Sequence, residues 1–531
     1  MTDSPWLGDA CSLVDAFRSG GRSPKEELAA TLGAIDSSRL NAFAHVDVDR
    51  ARRAAAAVDV SLPFGGVPTG IKELEPVEGW PFTEASLVWR DRRATYTSHH
   101  IQRVLASGVV PVGGTVASEF GGLNVSVSKI NGVTHNPWRH GCTAGGSSGG
   151  SASAVAGGLV SLATGGDGGG SIRIPAGYCG LLGMKGTFGR IPRSPHAYMR
   201  PNTVVVGNLS RSVRDAARYY DVCAGVHPFD PTSLPSIGGW ENSLGSHELR
   251  GRRVAVIPAL GGVTLEPGVE ERIREHASVL IRAAGLVEVD LAVEPPNMAA
   301  QWMMGNLATL LADLGKRWPG CAPELTDEIT LGLRLAEALY NLHTAAAAEE
   351  LRIQANEAMA TAFEQVDFII AATNPGPAFA AEATTSSAET SFIDWALANP
   401  VATGVFRGVL FAARLAGAVA PRMPSALVSA VSTKFPDLVN MGALTIISNI
   451  YGNPAVSIPA GTVGGLPIGM QVLGRHHEDA LLLDVALAAE RAAPWPLTAP
   501  PLATPPPTGF PAASADPFGS ATSPSLRAGP G

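Results

Sequence analysis

The segment 141–190 constrains the fold more than any other part of this 531-residue chain, because glycine and small hydroxyl residues are concentrated there. It contains two glycine loops, GGSSGGS at 145–151 and GGGS at 168–171, and each presents serine. The run between them, 152–162, is rich in alanine, valine and leucine, which predicts a buried helix followed by a short strand. Glycine permits positive φ and lets a ligand approach the backbone N–H groups. Such loops attract an anion, which is either a phosphate or a developing oxyanion.

The residues around the loops favour an oxyanion over a phosphate. The phosphate-binding patterns G-x-x-x-x-G-K-[ST] and G-x-G-x-x-G with a downstream acid are both absent, and Lys185 stands in the wrong register for the first. An oxyanion requires a nucleophile, which Ser171 supplies at the end of the second loop, and a base that takes its proton. No histidine and acid have a spacing that suggests a Ser-His-Asp triad.

Lys72 is the better candidate for the base. It lies in GVPTGIKEL, residues 66–74, an apolar run bounded by glycine and proline that predicts a short buried strand. Burial disfavours the ammonium form, and a neutral lysine can accept a proton. Alternation along a strand places the neighbouring Glu73 on the opposite face, so its carboxylate need not oppose this effect.

These residues resemble the amidase signature family of Ser-Ser-Lys hydrolases. The similarity rests on Lys72 in GVPTGIKEL, Ser147 in GGSSGGS and Ser171 in GGDGGGSIRIP. Motif, order and spacing agree over residues 5–490, and the late segments NPAVSIPAG at 453–461 and GLPIGMQ at 465–471 look like the C-terminal sheet region of that family.

The resemblance implies a role for each matching position. Ser171 is expected to form an acyl-enzyme, Ser147 to bridge to the base with a cis peptide on its N-terminal side, and Lys72 to be that base. The remaining positions are expected to supply the oxyanion-hole N–H groups (Gly168, Gly169, Gly170 and Ser171) and the support around the site (Ser148, Asp167 and Arg173). No metal and no organic cofactor is implied.

Composition excludes several other classes of protein. Hydrophobic residues make up 45% and charged residues 16%, with a formal net charge of −8, so nothing is basic enough for nucleic-acid binding. The five cysteines are scattered and lack CxxC spacing, which indicates reduced thiols, no zinc site and a cytoplasmic location. The N-terminus has acids where a signal peptide needs basic residues, so we expect neither secretion nor membrane association.

The predicted fold class is α/β, with a single amidase-signature domain over residues 1–493 in which helices flank a mixed central sheet. Residues 494–531 are rich in proline, alanine and serine and predict a disordered tail. The stretch 190–210 is predicted to be loop-rich, with Tyr198, Met199 and Asn202 at the substrate entrance. The pairs His99–His100 and His476–His477 are expected at the surface or at helix caps rather than on a metal.

The predicted function is hydrolysis of a linear carboxylic amide to a carboxylate plus ammonia or an amine, as in EC 3.5.1.4, through an acyl-enzyme on Ser171. Two alternatives remain. One is the glutamine-hydrolysing component of a tRNA-dependent amidotransferase, which needs a partner protein, and the other is a non-catalytic relative that binds a small molecule. The partner is a small-molecule amide; esters, carbamates and cyclic amides, and a homodimer, stay open.

Overall fold

The computed structural model describes residues 4–193, 203–383 and 436–500, with side chains in the last range described from residue 442 onward. Three expectations lie outside these ranges. They are the entrance residues Tyr198, Met199 and Asn202, the end of the loop after residue 377, and the tail beyond residue 500. Within the described residues, no helix is both long and apolar enough to span a membrane.

The described strands alternate with helices along much of the chain. The strands are β1 (Phe43–Val46), β2 (Pro68–Lys72), β3 (Val110–Thr115), β4 (Val127–Ser128), β5 (Gly132–Val133), β6 (Leu162–Asp167), β7 (Leu182–Lys185), β8 (Val205–Ser210), β9 (Arg253–Val256), β10 (Val287–Glu288), β11 (Phe368–Ala372), β12 (Ala455–Val463) and β13 (Leu466–Gly474). The helices are α1 (Ala10–Arg18), α2 (Pro24–Ser37), α3 (Val48–Ala57), α4 (His99–Ala106), α5 (Gly149–Ala156), α6 (Arg173–Cys179), α7 (Val213–Cys223), α8 (Val269–Ala284), α9 (Ala299–Leu314), α10 (Asp327–Leu339), α11 (Leu342–Gln365), α12 (Pro436–Tyr451) and α13 (Asp479–Ala492).

Eleven of these strands form one mixed sheet, in the order β1-β3-β2-β6-β8-β7-β12-β13-β11-β9-β10. The pairs β2–β3 and β2–β6 are parallel, whereas β6–β8, β7–β12 and β12–β13 are antiparallel. Strand β2 therefore lies between two parallel neighbours, and all five of its residues are buried. The predicted fold class, a mixed sheet flanked by helices, is confirmed.

Local sequence signals explain where several helices begin. Ser23 caps α2 in a reciprocal capping box with Glu26, with proline at the first helical position. Ser212 caps α7 by accepting a hydrogen bond from the Asp215 backbone N–H. The helices then bury apolar faces against the sheet, and one large core cluster joins residues of α1, α7, α8 and α13 to the central strands.

The structure corrects two expectations. Residues 205–210 are the buried strand β8, paired with β6 and β7, rather than loop. Residues 494–500 also pack on the fold: Trp495 Nε1 donates to the Arg211 carbonyl at 2.9 Å, and the Ala499 N–H donates to the Ala156 carbonyl at 2.7 Å. The first compact unit accordingly extends from Met1 to Pro500, past the predicted boundary at residue 493.

Candidate active site

Lys72 is the last residue of β2 and points into the interior of the protein. Its backbone N–H donates to Thr164 Oγ1 on the neighbouring strand at 2.9 Å, which holds the strand end in place. Its Nζ lies 2.7 Å from Ser147 Oγ and 2.8 Å from Ser148 Oγ. With only 3% of the residue exposed, the amine has two hydroxyl groups as its immediate polar neighbours.

Burial lowers the pKa of Lys72 from 10.5 to about 7, although the carboxylates of Glu75, Asp167 and Glu73 act in the opposite direction. Glu73 points elsewhere, as the alternation along β2 predicts. Its Oε1 accepts from the Ala117 N–H at 2.7 Å and from Asn131 Nδ2 at 2.8 Å. A substantial fraction of Lys72 is therefore neutral at pH 7, which is the form that can accept a proton.

Ser147 lies at the end of the first glycine loop, directly before α5. The peptide bond between Gly146 and Ser147 is cis, as the resemblance implies. Helix α5 is fixed to the sheet by Ser151, whose Oγ donates to the Thr164 carbonyl at 2.8 Å and lies 2.7 Å from Thr115 Oγ1. The first glycine loop is thus anchored to β3 and β6, the two strands that flank the strand of Lys72.

Asp167 and Arg173 frame the second glycine loop from either side. Both are fully buried, and Arg173 Nε donates to Asp167 Oδ2 at 3.0 Å. Burial alone would raise the pKa of Asp167, but the Arg173 guanidinium outweighs burial and holds the pKa at about 2. The charged pair closes the base of the loop that carries Ser171.

The expected oxyanion hole needs one correction. The Gly170 N–H donates to Asp167 Oδ1 at 2.7 Å, so it is already engaged and unavailable to a ligand. Gly170 instead shapes the loop, because its φ is +126° and an added Cβ would lie 2.3 Å from Thr445 Oγ1. Among the residues that the structure describes, the backbone N–H groups of Gly168, Gly169 and Ser171 meet no acceptor.

Helix α12 supplies contacts that sequence reasoning missed. Thr445 Oγ1 donates to the Gly169 carbonyl at 2.6 Å, and Asn449 Nδ2 donates to the Asp167 carbonyl at 2.9 Å and to Asp167 Oδ1 at 2.8 Å. The Thr445 carbonyl in turn accepts from Arg173 Nη2 at 3.0 Å. Both side chains are buried, so α12 holds the second glycine loop from outside.

A cavity of about 380 Å³ brings Lys72, Ser147 and Ser171 together, with Gly168 and Gly169 also in its wall. His100 lines this cavity too, which corrects the expectation of a surface or cap role for its pair. It is 1% exposed, and its Nε2 lies 2.6 Å from the Tyr219 hydroxyl. A lone histidine ahead of a helix carried no signal that could have placed it there.

A mixed sheet, a buried lysine hydrogen-bonded to two serines and a glycine loop with free N–H groups define the chain as a hydrolase that acts on C–N bonds. More specifically, the chain belongs to the amidase family, whose model matches residues 26–405.

Individual relatives agree with this family over nearly the whole chain. The putative amidase AmiC of Mycobacterium tuberculosis is 31% identical, and the match covers 92% of this chain and 95% of that protein. The A-type component of the glutamyl-tRNA(Gln) amidotransferase of Salinispora arenicola is 29% identical, covering 94% of this chain and 100% of that one. A solved bacterial aryl acylamidase shares the fold, with a TM-score of 0.78 at 24% identity over 92% of this chain and 97% of that one.

Proposed function

We propose that this protein hydrolyses a small-molecule carboxylic amide to a carboxylate plus ammonia or an amine, through an acyl-enzyme on Ser171. The observation that carries the proposal is the 2.7 Å separation of Lys72 Nζ and Ser147 Oγ in the cavity that Ser171 also lines. A buried lysine with a pKa of about 7 is a competent general base at neutral pH.

In the proposed acylation, Ser147 passes its hydroxyl proton to the neutral Lys72 amine and takes up the proton of Ser171. Ser171 Oγ then bonds to the amide carbon, and the negative charge that develops on the carbonyl oxygen is stabilised by the free N–H groups of Gly168, Gly169 and Ser171. Lys72 returns the proton through Ser147 to the leaving nitrogen, and the C–N bond breaks.

Deacylation repeats the same proton route with water. Lys72 and Ser147 take a proton from the water as its oxygen bonds to the acyl carbon, and the proton goes back to Ser171 Oγ when the ester bond breaks. Ser148 has the second hydrogen bond to Lys72 Nζ, so we assign it the role of orienting the amine. The scheme uses only side chains and backbone groups of this chain.

A fluorophosphonate pulse followed by peptide mass spectrometry tests the proposal, because the reagent labels an activated serine. We expect the adduct on Ser171 and a loss of amide hydrolysis that parallels labelling. Ser171→Ala should abolish both, whereas Ser161→Ala, at a buried serine away from the cavity, should retain both. An adduct on Ser147 or Ser148, or hydrolysis that survives in Ser171→Ala, would overturn the assignment.

The second candidate function is glutamine hydrolysis as the A-type component of a tRNA-dependent amidotransferase. It is favoured by the likeness to the Salinispora arenicola protein over that protein's full length. Ammonia release from glutamine and from simple amides by the purified chain separates the two, because a free amidase should not need a partner protein. All five cysteines are unpaired, which supports the cytoplasmic location that we also propose.

A further inference from the structure

The lining of the cavity divides into two patches of different chemistry. Near Lys72 the wall is polar, and its members contact one another: Ser98 Oγ donates to Glu75 Oε2 at 3.1 Å, and His100 Nδ1 lies 3.7 Å from the same oxygen. The other patch is largely apolar and belongs to α9 and the segments facing it. The proposed chemistry uses none of the apolar patch.

One face of α9 supplies most of the apolar patch. Its members recur at the three- and four-residue spacing of a helical face; those that line the cavity include Trp302, Met303, Asn306, Leu307, Leu310 and Asp313. From Trp302 to Leu310 the face extends for about 12 Å, at about 1.5 Å of rise per residue. This length is a depth that a primary amide of two or three carbons would leave unfilled.

Trp302 places the start of this face directly beside the second glycine loop. An added Cβ on Gly169 would lie 3.0 Å from Trp302 Cζ2, so the indole ring packs against the loop itself. The ring orientation is held by a hydrogen bond from its Nε1 to Thr203 Oγ1 at 3.3 Å. A group bonded to a carbonyl at the free N–H groups of this loop therefore meets an aromatic surface.

The segments that face α9 are held in place by unusual backbone. Phe120 and Glu84 both line the cavity, and both have positive φ, at 53° and 51°. The Phe120 N–H donates to the Glu84 carbonyl at 2.9 Å, which ties the two together. Left-handed backbone is uncommon for a bulky residue and concentrates at functional sites. Phe120 also packs in the hydrophobic cluster of Met303 and Leu310.

We propose that the α9 wall, defined as Trp302, Met303, Leu307 and Leu310, binds an apolar substituent of the substrate, either an aromatic group or an alkyl chain of several carbons. The preferred substrates are then amides with a bulky apolar group rather than short polar amides such as glutamine. This inference rests on the proposed function. Burying apolar surface on the wall favours such substrates by about fourfold for each methylene removed from water.

The first test is a series of fluorophosphonates whose alkyl group lengthens from methyl to octyl, with the labelling rate of Ser171 as the readout. We expect the rate to rise by at least about tenfold over the series, which is well below the fourfold per methylene of complete burial. Failure of every reagent to label Ser171 would overturn the proposed function. Labelling at a rate independent of chain length would overturn this inference alone.

Variants of α9 assign the effect to the wall. Leu310→Asp puts a carboxylate into the wall and should lower the octyl-to-methyl rate ratio at least about tenfold. Ala312→Asp, on the exposed side of the same helix, introduces the same charge and should leave the ratio unchanged. Met303→Gln, a substitution of similar size, provides a milder variant if Leu310→Asp does not fold. An unchanged ratio in a folded wall variant would refute the role of α9.

An amide panel then shows which side of the scissile bond occupies the wall. Primary amides from acetamide to 4-phenylbutanamide vary only the acyl group, and N-substituted acetamides vary only the amine. We expect kcat/KM to rise with apolar size in one of the two series. A flat response in both, or glutamine as the best substrate of the panel, would overturn the inference.

Discussion

The pKa of Lys72 leads to the most demanding prediction, because several other groups titrate in the same range. At pH 7 a lysine with the ordinary pKa of 10.5 has about one neutral side chain in 3,000. A pKa of about 7 leaves about half of the side chains neutral, so burial makes the base about 1,500 times more available. Since the neutral amine is the active form, kcat/KM should rise about tenfold per pH unit below pH 7 and level off above about pH 8.

The perturbation is Lys72→Ala, assayed as the pH dependence of amide hydrolysis between pH 5 and pH 9. Loss of a general base typically lowers the rate by about 10²–10⁴-fold, and the ascending limb should disappear with it. Lys72→Arg should not restore activity, because the guanidinium remains charged at every pH in this range.

The matched control is Lys185, the other buried lysine whose pKa burial lowers to about 7. Its Nζ donates to the backbone carbonyls of Asn453 and Gly186, and it does not line the cavity. Lys185→Met should lower the melting temperature but keep the ascending limb. The same holds for Glu73, whose pKa burial raises to about 7. If Lys72→Ala keeps more than about a tenth of the activity with the limb unchanged, the mechanism is wrong for this protein.

The other predictions concern the support of the site and the C-terminal boundary. Thr445→Val removes the hydroxyl that donates to the Gly169 carbonyl at 2.6 Å, and we expect kcat to fall about tenfold with little change in KM. Thr445→Ser keeps the donor and should restore kcat; equal loss in both variants would indicate a packing role. Truncation after Ala493 removes Trp495 and its hydrogen bond to Arg211, and it should lower the melting temperature by about 2–4 °C for each kcal/mol lost. Truncation after Pro500 should leave the melting temperature unchanged, and an equal drop in both truncations would contradict the boundary.

The sequence by itself determined the features that depend on nearby residues. Ser23 and Ser212 were readable as helix caps because a capping side chain bonds to backbone two or three residues away. The burial of Lys72 followed from the apolar run around it. The order of motifs also identified the family, which the match over residues 26–405 confirms. The catalytic roles of Lys72, Ser147 and Ser171 stay predictions.

Only the tertiary structure decided which distant residues surround these motifs. Residues 205–210 contain glycine, asparagine and serine, and they form β8 because β6 and β7 provide partners for their backbone groups. Thr445 contacts Gly169 across 276 positions, and nothing local to either residue marks the pair. The glycine motif assigns the Gly170 N–H to the oxyanion hole, whereas in the folded chain Asp167 accepts its hydrogen bond. Hydrogen-bond partners of this kind depend on how the chain folds back on itself, so no periodicity or spacing in the sequence reports them.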